Sequence, residues 1–256
     1  ANVDGFRCDY ADGPPVGFWK QAIDSLRNIK THKLLMLAEG TRSDHYTAGF
    51  DFTFGFRYYD VLKNVFNNGA TVFNLTGLNT TEYAGASDAQ RVVRYITNHD
   101  VNSSDGTPLE LFGGAAGSMA AFVTAAYMKG VPMIYNGQEI GLAQRLSFPF
   151  TGTAIDWNGN KAMTAEYKKL VAFYNSSTAI RRGSLIVFND ANVCTFTRNS
   201  DTETVLVICN LRSNSVNYTL PGGIANSAWK NAFANDNVSL TGQISLSPYQ
   251  YLVLKR

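Results

Sequence analysis

The sequence predicts an α/β region followed by an all-β antiparallel sandwich, and three observations carry that prediction. Apolar, strand-like runs alternate with helical stretches over the first two thirds of the chain. Several of those runs end in charged or polar residues. After about residue 184 helical patterning stops, and short β-rich runs recur between turn signals. Strand–helix alternation implies parallel strands joined by crossover helices, whereas closely spaced β-rich runs imply antiparallel pairing.

The elements follow in order. Asn2–Asp9 reads as a strand. Gly17–Ile29 carries Phe18, Ala22, Ile23, Leu26 and Ile29 at helical spacing, the pattern of an amphipathic helix. Lys33–Glu39 is an apolar run ending in an acid, which suits a strand buried on both faces. Tyr58–Phe66 reads as helix and Arg91–Asp100 as a β-rich run with a polar end. Ser118–Lys129 is a buried helix stopped by Gly130, with Pro132 just beyond. Val131–Asn136 is a further strand and Thr164–Ile180 the last helix. The glycines at 113, 114 and 117 read as a tight approach before a buried helix, because no phosphate-loop lysine accompanies them. The tail then runs through SLIVFND, NVCTFTR, TVLVICN, SVNYTL, VSLTGQISL and YQYLVLKR. The expected division is 1–183 and 184–256.

Composition bounds the function. With 256 residues, 45% hydrophobic and 16% charged, the chain is long enough for a large region plus a small one. A net charge of +2 with no basic run gives no footprint for nucleic acid or an acidic membrane surface. No apolar stretch reaches the ~18 residues a membrane helix needs. Three cysteines at wide spacing, Cys8, Cys194 and Cys209, make neither a disulfide framework nor a zinc pattern. Cys194 and Cys209 fall in runs that can stand side by side, and read as buried free thiols.

The chemistry gathers at the strand ends. In parallel α/β folds the ligand site lies at the carboxyl ends of the strands. Here those ends offer Arg7 and Asp9, then Glu39, then Asn98, His99 and Asp100, and then Asn136 to Glu139, four places that point to one shared site. There is no G-x-S-x-G, no phosphate loop and no dinucleotide fingerprint. Carboxylates at such strand ends suit glycoside hydrolysis, where one carboxyl group protonates the leaving oxygen and another attacks the anomeric carbon or activates water. The apolar strand before Glu39 is expected to favour its protonated form, and Arg7 the ionised form of Asp9. Arg7 and Asp9, two apart, belong on one strand face. Taken singly, Arg7–Asp9 is equally a structural ion pair, Glu39 a loop acid, and His99–Asp100 a satisfied pair in a turn. Their joint occurrence favours a site.

The segments G-F-R-C-D (5–9), L-A-E-G (37–40) and T-N-H-D (97–100) resemble, in order and spacing, three signature regions of the α-amylase family of retaining glycoside hydrolases. VPMIYNGQEIG (131–141) is similar to that family's last barrel strand and following loop, and the β-rich tail to its C-terminal sandwich. The resemblance implies a partial (β/α)8 TIM barrel, about strands 4–8, followed by the antiparallel sandwich. It makes Asp9 the nucleophile, Glu39 the general acid/base and Asp100 the third carboxylate. It also makes Arg7 the residue that orients the nucleophile and His99 a sugar-binding histidine. The implied substrate is a starch-like α-glucan or maltooligosaccharide, cleaved by double displacement. A transglycosylase or α-glucosidase of the same family, and a non-catalytic carbohydrate-binding or scaffold protein on this fold, are the alternative expectations.

The resemblance has two departures. Family members often carry Lys-His three and four residues after the nucleophile, where a carbonyl helps bind calcium; this chain has Asp12 and Gly13. The chemistry is expected to need no cofactor, and the departure weighs against a structural calcium without removing the backbone carbonyl, which Gly13 keeps. A complete barrel takes ~250 residues, and the family's first signature region has no counterpart here. The expectation is therefore a C-terminal part of a longer enzyme, weakly active or inactive alone. Its open barrel edges would be covered by the missing N-terminal half or by self-association.

Overall fold

A computed structural model of the chain describes residues 3–29, 33–152 and 154–256. Five parallel strands lie side by side in chain order: β1 (Gly5–Cys8), β2 (Leu35–Ala38), β3 (Phe52–Phe54), β4 (Arg91–Arg94) and β5 (Gly130–Pro132). The register pairs Arg7 with Leu37, Leu37 with Phe52, Phe52 with Arg91, and Val92 with Gly130. A parallel sheet ordered like its own sequence is a stretch of barrel wall, since each right-handed crossover advances by one strand. Among the described residues β1 and β5 are the edges of this sheet.

Helices cover one face of the wall. α1 (Val16–Arg27) starts after Pro15, and its Ile23 is buried with Met36, Ala38 and Phe50. α2 (Asp44–Ala48) leads into β3; α3 (Phe56–Asn67) and α4 (Phe73–Glu82) lead into β4. α5 (Val101–Ser104), α6 (Pro108–Leu111) and α7 (Gly114–Tyr127) lead into β5, and α8 (Lys161–Ser176) and α9 (Thr178–Arg182) follow it. In α7 every residue from Gly117 to Tyr127 is buried, as its apolar residues on every side require. The glycine-rich entry is a close approach: a Cβ on Gly117 would lie 1.5 Å from the Phe112 carbonyl oxygen. No helix among the described residues is long and apolar enough to cross a membrane.

The second region has eight strands: β6 (Ser184–Phe188), β7 (Val193–Asn199), β8 (Thr204–Asn210), β9 (Val216–Thr219), β10 (Ser227–Asn231), β11 (Asn237–Leu240), β12 (Gln243–Leu246) and β13 (Tyr251–Lys255). Six form one antiparallel sheet, in the order β11-β10-β13-β8-β7-β6, and β12 pairs with β9 as a second layer. Period-2 alternation divides the buried side chains. Phe196, Val205, Val207 and Cys209 join the core that contains α7 and α8; Val193, Leu206 and Ile208 pack with Tyr218, Trp229 and Leu246. Cys194 and Cys209 stand directly opposite each other and are free thiols.

Several elements differ from the sequence expectation. The Arg91–Asp100 run is strand only to Arg94, because Asn98 Oδ1 accepts from the amides of Asp100 and Val101 and turns the chain. In place of Val131–Asn136 stands a three-residue strand, Gly130–Pro132, followed by one more bond to β4, from the Met133 amide to the Arg94 carbonyl. The last helix breaks at Ser177, whose extended backbone and side-chain acceptor for the Ile180 amide start α9. VSLTGQISL holds two strands that belong to different sheets. β3 and β10 have no counterpart in the expected elements. Asn2, in the first expected strand, lies outside the described residues.

Candidate active site

Alternation in β1 sends Cys8 toward α1, where it packs with the cluster of Ile23, Met36 and Ala38. Arg7 therefore points away from the helices, with Leu37 beside it in register. Asp9 follows on the same side. One Nη of Arg7 donates to Asp9 Oδ1 and the other to Glu39 Oε1. The second Glu39 oxygen accepts from the Tyr10 amide at 2.8 Å. Tyr10 adopts a left-handed backbone, φ +45°, an uncommon conformation for a tyrosine. That turn aims its amide at the carboxylate.

Two backbone bonds fix the height of Glu39 relative to β1. Its amide donates to the Cys8 carbonyl, and its carbonyl accepts from Ala11, both at 2.9 Å. The residue is partly buried, its side chain 18% exposed, whereas the Asp9 side chain is 78% exposed. The surroundings of Glu39 differ from the apolar pocket its preceding strand suggests. Both carboxylate oxygens are held by N–H donors, one of them cationic.

The third group comes from the turn after β4. Glu39, His99 and Asp100 each offer an atom within 4.8 Å of the others', and His99 Nε2 lies 3.3 Å from Asp100 Oδ1. The turn is fixed from beneath. Asn98 accepts two amides, and Asn102 donates to Thr97 Oγ1 at 3.1 Å. Below it Tyr95 is buried and stacks on Tyr59, ring centroids 5.1 Å apart. Burial pushes the Tyr95 phenol up, and nearby carboxylates including Asp60 and Asp100 add to this. The structure thus brings together all five residues picked from the sequence: Arg7, Asp9, Glu39, His99 and Asp100.

Two contributors escaped the sequence reading. Phe148, in the long segment after β5, stands with its ring centroid 5.8 Å from that of His99 and is exposed. The Leu146 amide donates to Asn102 Oδ1 at 2.6 Å, tying that segment to the His99 turn. Tyr135 lies near Asp100; burial raises its phenol and the Asp100 charge adds to that. The available signal for Phe148 was an aromatic pair around a proline, S-F-P-F, with no partner element in sequence.

Asp12, at the departure from the family pattern, turns its carboxylate toward the β2–α2 loop. It accepts from the amides of Thr41 and Arg42 and pairs with His45 Nε2 at 2.7 Å. A carboxylate committed to these donors does not fit a calcium ligand. Where Glu39, His99 and Asp100 meet, the Arg7 guanidinium on Glu39 likewise opposes a cation.

Residues 185–253 match the family model described as Maltogenic Amylase, C-terminal domain. The chain is 24% identical over 242 residues to Alpha-amylase 2 of Dictyoglomus thermophilum, covering 86% of this chain and 41% of that protein. It is 29% identical over 140 residues to Alpha-amylase MalA of Haloarcula japonica, covering 54% of this chain and 20% of that one. Among solved structures, the maltogenic α-amylase AmyB of Thermotoga neapolitana superposes with a TM-score of 0.83 at 23% identity, over 100% of this chain and 62% of that one. The chain therefore spans less than half the length of these two curated relatives.

Proposed function

We propose, for a chain that belongs to the α-amylase family over its C-terminal region, that it supplies the catalytic carboxylates of a retaining glycoside hydrolase acting on α-glucosidic bonds. The observation that carries this is the fork of Arg7, which holds Asp9 and Glu39 at one guanidinium. The fork makes the two carboxyl groups neighbours at one cation; that they work by double displacement is what the resemblance of the strand-end segments implies.

In the first step Asp9 attacks the anomeric carbon while Glu39 gives its proton to the glycosidic oxygen. The C–O bond breaks and a glycosyl ester forms on Asp9. In the second step Glu39 takes a proton from water, which attacks the same carbon and releases Asp9, so the α configuration is restored. Asp100 and His99 hold the sugar hydroxyls at the cleaved position. None of these steps calls on a cofactor. The substrate class is a starch-like glucan or maltooligosaccharide.

The test is anomer-resolved NMR of maltooligosaccharide hydrolysis by the full protein that carries this sequence. The α product is expected first, with loss of activity in Asp9→Asn and Glu39→Gln. A β product first, or activity that survives Glu39→Gln, overturns the reading.

The 256-residue chain alone is expected to be weak, because Asp9 is open to solvent. Phe6 and Leu35, on the first two strands, are also exposed. We propose that the β1 and β5 edges are covered by a companion segment or a second copy. Light scattering that finds a stable lone monomer rejects this.

A further inference from the structure

We propose that Asp12 and His45 form a clamp that sets the position of the Glu39 carboxylate, making both of them positioning residues of the active site. The kinetic part of this rests on the glycosidase reading; the structural part does not.

The clamp joins the two loops that carry the chemistry. Asp12 sits three residues after Asp9, and His45 lies in α2, six residues after Glu39. His45 Nε2 reaches Asp12 Oδ1 at 2.7 Å, and the His45 side chain is completely buried. With the proton on Nε2, Asp12 accepts from it and Nδ1 is left as a bare acceptor. That atom has no partner among the described residues. The ring packs edge-on against Phe50, 5.3 Å between centroids, so it cannot rotate away without disturbing the core beneath α1.

Asp12 holds the loop by more than one bond. Its oxygens accept the Thr41 amide at 3.2 Å and the Arg42 amide at 3.3 Å. Arg42 answers by donating to the carbonyls of Asp12 and Pro14, at 3.0 and 3.2 Å. Glu39 is therefore followed by residues anchored on the β1 side, while its own backbone is anchored on Cys8 and Ala11.

Gly40 shows how tightly the clamp passes. A Cβ there would lie 2.4 Å from Asp12 Oδ1 and 2.7 Å from His45 Nε2. Its backbone carbonyl accepts from the Phe54 amide at 3.2 Å, which links the same loop to β3. A glycine beside the acid/base is thus required by the bond that crosses over it. Arg7 holds the carboxylate from the strand side, and the clamp holds its backbone from the loop side.

The experiment compares wild type, Asp12→Asn, His45→Phe, His45→Gln and Gly40→Ala in the full protein. It measures maltooligosaccharide kinetics and amide hydrogen exchange. In Asp12→Asn, His45→Phe and Gly40→Ala, kcat is expected to fall about 10- to 100-fold with KM within about twofold, since misplacement of a reacting group by ~1 Å has effects of that size. Exchange is expected to speed up at Tyr10 and Ala11, whose amides bond Glu39 and which the substitutions do not touch. His45→Gln, which keeps a nitrogen donor, is expected to recover part of both. A lowered melting temperature with kcat and the Tyr10 and Ala11 amides unchanged would mean a merely structural pair and overturn the proposal. If wild type cleaves no glucan, the glycosidase reading falls, and the two amides alone decide the clamp.

Discussion

Arg7 donates to Glu39 across the gap between two adjacent strands, and its other Nη donates to Asp9. One planar fork spans two carboxylates through two separate nitrogens, a geometry that a lysine's single point-like ammonium does not reproduce. Arg7→Lys is expected to lower kcat/KM by about 100-fold, the scale of losing a preorganised charge contact. The melting temperature should move little, because Arg7 lies on an edge strand. Steady-state kinetics checks this; a variant within a few-fold of wild type refutes it.

Phe148 faces His99 from an exposed segment, with Phe150 edge-on to it at 5.4 Å. On the proposed reading, in which His99 binds the sugar, the Phe148 ring beside it would stack on the apolar face of a pyranose. Phe148→Ala is expected to raise KM about two- to tenfold, following the ~0.5–1.5 kcal/mol of an aromatic contact. kcat should be unchanged, since the ring touches no reacting atom. An unaltered KM across maltose to maltoheptaose removes Phe148 from the site.

Arg94 is fully buried, with its guanidinium 3.8 Å above the Tyr58 ring and paired with Glu82 at 2.7 Å. It also donates to Asn79 and to the Met128 carbonyl. Glu82→Leu leaves that cation without its counter-charge and is expected to destabilise by ~3–5 kcal/mol. Replacing both partners, Glu82→Leu with Arg94→Met, should restore much of the loss. Urea unfolding measures both; a double variant no better than the single one contradicts the charge argument.

Acid should act on Asp12. Burial raises its pKa, but hydrogen bonds from His45 and from the Thr41 and Arg42 amides outweigh this and hold the carboxyl below its ordinary 3.8. A depressed carboxylate stabilises the fold above its unfolded pKa, and that contribution is lost as pH falls through the lower folded value. Asp12→Asn should therefore flatten the stability profile below about pH 4, with the curves parallel above it. Tm against pH for the two proteins is the check, and equal acid slopes would remove Asp12 from the acid response.

What was legible in the sequence was whatever depends on local chemistry. Arg7 and Asp9 share a face because strands alternate, and Gly117 marks a close approach because a side chain there would meet the Phe112 carbonyl. The joint appearance of charge at three strand ends then predicted one site. The missed parts depend on distant partners. β3 is a strand only because Phe52 finds Leu37 and Arg91 on either side, and its three residues carry no pattern of their own. The donors that meet Glu39 were not legible, because the apolar strand before it says nothing of Arg7 and Tyr10 across the gap. Phe148 reaches His99 through an anchor at Leu146 that no local pattern announces.

The boundary at which the C-terminal family match begins is not a seam in the molecule. Phe196, Val207 and Cys209 share one core with α7 and α8. Arg212 donates to the Val65 and Ala70 carbonyls at the end of α3, and Tyr249 stacks on Phe66 at 5.6 Å. A chimera that grafts residues from 184 onward onto another relative's barrel would bring one wall of a core without the wall it was fitted to. The transferable module is larger than the recognisable one: it reaches upstream through the buried helix α7 to the end of α3.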